Sequence, residues 1–130
     1  MNKLPVLIPN EEYKDRVRRL QQAMAAEDLD AVLCYANSSV YQNVRYLCNY
    51  WPMFETGGIL VPRKGDPKIL IGGEAPGAVR TAFGPENVRV SSDFGHAHAK
   101  FKWVGVQYYT MQELFDEATD GQGMKRLGIS

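Results

Sequence analysis

The sequence predicts a layered α/β domain, a mixed β-sheet with helices on both faces. Three observations predict it. A long stretch with helical spacing precedes a short, continuously apolar run. Two further apolar runs flank a tight polar turn, and helical and strand-like stretches then alternate to the end of the 130 residues. Alternating periodicities call for helices layered on a sheet, and a hairpin within the series makes that sheet mixed.

The elements follow in order. Asn10 comes after Pro9 and offers a side chain to cap a helix whose first turn carries Glu11 and Glu12, charges that suit a helix N-terminus. Tyr13, Val17, Leu20 and Met24 then recur at helical spacing as a core-facing stripe. Lys14, Arg16, Arg18 and Arg19 fall mostly off it, as a solvated face would. Residues 30–35, DAVLCY, read as a strand covered on both faces. Ser38 or Ser39 can cap a short second helix running through Tyr46.

Residues 57–62 and 68–71 form a hairpin across the turn RKGDP. Residues 74–83 read as a helix with Pro76 in its first turn, stopped by Gly84 and Pro85. Residues 87–91 give a further strand. Thr110 and Glu113 make a capping-box pattern for a helix to about Ala118. Residues 124–130 begin one more strand, so the chain is expected to be one domain, residues 1–130, cut from something longer.

Bulk composition excludes several classes. Fifteen basic residues balance fifteen acidic ones, so no net field favours nucleic acid or an anionic membrane. No apolar run approaches the roughly 20 residues that span a bilayer, and the N-terminus has no signal-peptide pattern. Cys34 and Cys48 are too few for a disulfide framework, and a reducing, cytoplasmic location is the expectation.

Catalytic signatures are sparse. His96 and His98 form an HxH pair that an extended segment would present on one side, but zinc needs further ligands, and only Asp93 lies near in sequence. Cys48 lacks a neighbouring base and Cys34 sits in an apolar run, so both read as structural thiols. The pairs Gly57-Gly58 and Gly72-Gly73 build no phosphate loop and are better explained by close backbone approach. No Ser/His/Asp arrangement or paired carboxylates can be identified. The aromatic stretch WPMFE at residues 51–55 is left as the conspicuous feature.

Four stretches carry a resemblance. Residues 16–24 (RVRRLQQAM), 30–33 (DAVL), 44–50 (VRYLCNY) and 58–70 occur in the order and spacing found in one family. They are similar to the N-terminal domain of the creatinase/prolidase/aminopeptidase P enzymes, well over about the first 75 residues and by element order beyond. The resemblance implies an α/β domain of ribonuclease-H-like topology. Catalysis would belong to a separate C-terminal pita-bread domain of the same polypeptide, whose Asp, His and Glu ligands hold two divalent metals (Mn, Co or Zn). No metal ligand or catalytic residue is therefore carried onto this chain. The N-terminal domain of such enzymes makes dimer contacts and overhangs an active site, so a homodimer and a peptide or small-molecule substrate are the implied partners.

By position, the substrate-proximal loop of that family falls on Trp51, Phe54 and Glu55. The loop here lacks an arginine and is slightly shorter than the creatinase type, which points away from creatine and toward a peptidase or an uncharacterised homologue. Trp51 and Phe54 would wall a pocket or pack at a subunit interface, and Glu55 would meet a substrate ammonium. The alternative function is a stand-alone α/β domain that binds a ligand or partner without hydrolase activity. A thiol enzyme using Cys48 is the third reading.

Overall fold

The computed structural model describes residues 7–53, 55–73, 81–94 and 102–130. Helix α1 spans Asn10–Ala26 and buries Tyr13, Val17 and Met24, with Leu20 packed alongside. Asn10 is not its cap, contrary to the sequence expectation. Pro9 holds that position in an extended conformation, no side chain caps the end, and the Glu12 N–H returns to the Pro9 carbonyl at 3.0 Å. Proline's fixed φ suits entry into a helix, so the first turn closes one residue earlier than a capping asparagine would require. The helix ends with Asp28 at positive φ, and the N–H groups of Asp28 and Leu29 donate to Ala25 and Met24. That pattern satisfies carbonyls the helix leaves free and turns the chain into the sheet.

Strand β1 (Ala31–Ala36) is followed by α2 (Gln42–Cys48), the hairpin β2 (Gly57–Pro62) and β3 (Lys68–Ile71), and then a 3-10 turn, Pro85–Asn87. Strand β4 (Val88–Val90), α3 (Met111–Ala118) and β5 (Leu127–Ile129) complete the series. The sheet order is β4-β3-β2-β1-β5. Strand β2 pairs antiparallel with β1 and β3, whereas β4 runs parallel to β3 and β5 parallel to β1. The sheet is mixed, as predicted.

Alternation along these strands divides the interior in two. Val32, Cys34, Ile59, Val61, Ile69, Ile71 and Val90 face α1 and α2, where Val44, Leu47 and Cys48 meet them. Ala31, Leu60 and Leu70 face the other way, against Leu114 of α3 and Phe94. Helices therefore cover both faces. Every residue of β2 is buried, and each large side chain there contributes on the order of 1.5–3 kcal/mol by leaving water. Gly58 is fixed by close approach, because a Cβ there would sit 2.6 Å from the Cys34 carbonyl oxygen.

The second helix differs from its prediction. Ser38 and Ser39 do not cap it, and it begins at Gln42. The side chain of Asn37 instead accepts from the N–H groups of Ser39 and Val40, at 2.9 and 2.7 Å. This local turn competes with helix initiation and delays it. Most of the helix predicted over residues 74–83 lies outside the described residues, and Thr81, Ala82 and Phe83 are not helical. The capping box of α3 forms as expected, with Thr110 Oγ1 accepting from the Glu113 N–H at 3.2 Å and Glu113 Oε2 accepting from the Thr110 N–H at 2.8 Å.

Asp30 ties the last strand to the first. Its Oδ2 accepts from the N–H groups of Lys125 and Arg126, both at 2.8 Å, and β5 then runs beside β1. The Arg126 and Lys125 N–H groups hold the Asp30 carboxyl below its ordinary value, and the Arg63 charge adds to the effect.

Candidate functional site

The candidate site grows from the end of α2. Val44, Leu47 and Cys48 point inward, so Arg45 and Tyr46 are turned outward. Asn49 ends the helix in the left-handed region at φ 63°, a conformation asparagine tolerates better than most residues. The chain then drives Tyr50 into the core, where Gly57 makes room for it: a Cβ on Gly57 would lie 2.7 Å from the Tyr50 ring. Pro52 is fully buried and anchors the loop between them.

Trp51 is left 40% exposed. Its ring stacks at 4.8 Å on Tyr41, with the planes tilted by 33°, and the Arg45 guanidinium lies 5.3 Å from its centroid. Glu55 has a different partner, the Tyr50 hydroxyl, which donates to its carboxylate at 3.1 Å. Of the three substrate-proximal residues expected from sequence, Phe54 lies outside the described residues, as do His96 and His98. The two that are described are each held by a neighbouring aromatic side chain.

Beside Trp51 a cleft of about 590 Å³ opens between α1 and α2. Tyr13 and Arg16 wall it from α1, and Tyr41, Arg45, Tyr46 and Asn49 from α2 and its ends. Sequence reasoning missed Arg16, which it placed on a solvated face. Its side chain is only 13% exposed. Nε donates to Glu12 at 3.0 Å, Nη1 donates to the Tyr46 carbonyl at 2.9 Å, and the guanidinium sits 5.0 Å from the Tyr13 ring centroid and 4.3 Å from that of Tyr46. Arg16 thus joins the two helices. The only signal for Arg45 and Tyr46 in the sequence is their outward phase within VRYLCNY.

The thiols are inert by environment. Cys48 is fully buried, its Sγ donates to the Val44 carbonyl at 3.2 Å, and burial pushes its pKa up to about 12. A nucleophile needs thiolate, and none forms near neutral pH. Burial raises Cys34 as well. The thiol-enzyme reading is thereby corrected. Among the described residues no three His, Cys, Asp or Glu side chains gather into a group able to hold a metal ion. No helix among them is long and apolar enough to cross a membrane.

One solved structure shares this fold. A solved structure of dipeptidase PepE from Mycobacterium ulcerans superposes with a TM-score of 0.59 at 16% identity, over 89% of this chain and 28% of that one. This chain therefore spans well under half of that protein's length. The creatinase/prolidase-like N-terminal domain of a Corynebacterium diphtheriae protein matches with a TM-score of 0.41 at 15% identity, over 90% of this chain and 93% of that one. No curated protein sequence matches significantly. The family model of the Creatinase/Prolidase N-terminal domain matches residues 16–130, and the chain belongs to that family.

Proposed function

We propose that this domain is the non-catalytic N-terminal part of a metal-dependent hydrolase, an Xaa-Pro peptidase in preference to a creatinase-like enzyme. Membership of the Creatinase/Prolidase N-terminal domain family over residues 16–130 carries the reading. In it, the domain makes homodimer contacts in the cytoplasm and overhangs an active site built by a separate C-terminal domain of the same polypeptide. Two divalent metals, Mn, Co or Zn, belong to that other domain.

The role of the 51–55 loop follows from its chemistry. Trp51, held by Tyr41 and Arg45, is an exposed but oriented apolar wall that excludes water from a bound peptide. Phe54 is proposed as a second apolar contact for the peptide, and Glu55 offers a carboxylate to a peptide ammonium. Such groups orient substrate and transfer no proton.

Assay with Xaa-Pro dipeptides and Mn²⁺ tests the proposal. The 130-residue chain alone is expected to show no turnover. In the polypeptide that carries a catalytic domain, Trp51→Ala is expected to raise KM by about tenfold with little change in kcat, the pattern of lost ground-state binding. Metal-dependent turnover by the chain alone would refute the proposal. An unchanged KM in the Trp51 variant would remove the loop from the site.

A further inference from the structure

The α1–α2 cleft has a chemistry of its own. Among the described residues, Arg16 and Arg45 are the formally charged ones that line it, and no carboxylate does. That imbalance stands out in a chain whose charges cancel overall. The two arginines are also in different states. Arg16 is neutralised by Glu12 and fixed by the Tyr46 carbonyl. Arg45 makes no ion pair with any carboxylate among the described residues, and its planar group is oriented by the Trp51 ring.

The cleft holds three aromatic rings, Tyr13, Tyr41 and Tyr46, beside Leu7, Ile8 and several side-chain amides. Aromatic faces take up planar apolar surface, while a guanidinium matches a carboxylate through paired N–H donors. A cleft of about 590 Å³ is within the range that encloses a small organic ligand.

We propose that this cleft binds a carboxylate carried on an aromatic or similarly flat apolar body. Arg45 holds the carboxylate, and the tyrosine rings hold the body. Arg16 acts as a positioning residue that keeps the α1 wall against α2. A free aromatic acid and the C-terminal carboxylate of a peptide ending in an aromatic residue share this chemistry.

Calorimetric titration of the 130-residue domain tests the proposal with four probes: benzoate, benzamide, the tripeptide Ala-Ala-Phe, and the same tripeptide amidated at its C-terminus. The acid of at least one pair is expected to bind at least about tenfold more tightly than its amide, and Arg45→Gln to remove about that factor. Whichever pair shows the larger difference identifies the source, small acid or peptide end. Equal binding of acid and amide, or no binding by any probe, would overturn the proposal. So would inorganic phosphate binding as tightly as benzoate, since a bare anion uses no aromatic wall. The acid–amide comparison is made on the unsubstituted protein, so it stands whatever the stability of the Arg45 variant.

Discussion

Arg89 and Arg45, on opposite faces of the sheet, are held differently. On the α3 side, Arg89 forks onto Glu117, at 2.6 and 3.1 Å, and Lys68 approaches the same carboxylate at 3.8 Å. The Glu117 partnership raises the Arg89 pKa further, so the cation is committed to the fold. On the α1–α2 side, Arg45 rests on Trp51 with no carboxylate partner among the described residues. Arg89 closes its charge on a carboxylate, as Arg16 does on Glu12, whereas Arg45 is kept facing a cleft. Charge pairing of the first kind holds helix to sheet; an unpaired, oriented arginine among aromatic rings is free to meet a ligand.

The largest effects that sharpen this contrast lie in the core. Ile59→Ala empties a fully buried site under α1 and α2, and Leu114→Ala empties one under α3. Each is expected to cost ~2–5 kcal/mol in urea unfolding, with Ile59 the costlier because it belongs to the larger cluster. A smaller loss at Ile59 than at Leu114 would reverse the ranking of the two faces.

Glu117→Gln comes next. It breaks a half-buried pair and should lower stability by about 1 kcal/mol, whereas Arg45→Gln should stay within about 0.5 kcal/mol of the parent. Equal losses in the two variants would erase the distinction between a structural and an available arginine.

The pH dependence of the β5 attachment is smaller again. Asp30 has a depressed folded-state pKa, so it contributes stability above its unfolded value, and that contribution is lost as pH falls through the folded value. The melting-temperature gap between the parent and Asp30→Asn should be constant from pH 7 to about 5 and should close below pH 4. A gap that widens on acidification would contradict the bond pattern at Lys125 and Arg126.

Much of this was legible in the sequence, and for identifiable reasons. Strand β2 reads correctly as buried because it is a continuous apolar run between turn residues, and the α3 capping box is a local pattern; β1 reads correctly as a strand, but its Tyr35 is exposed rather than covered. The start of α2 was misplaced because two serines look like caps until Asn37 takes their place in a local turn. Arg16 was indistinguishable from the other basic residues of α1, since its partner Tyr46 lies 30 positions away. Trp51 was singled out, but its stacking on Tyr41 and Arg45 depends on how α2 ends at Asn49, which no local spacing reports.

Chemical-shift mapping of the ¹⁵N-labelled domain during a benzoate titration tests the contrast between the faces most directly. The account predicts that the perturbed amides cluster at Tyr13, Tyr41, Arg45, Tyr46 and Asn49, that the Trp51 indole signal moves with them, and that α3 stays silent. Perturbations centred on Arg89 and Glu117, or scattered over both faces, would contradict it.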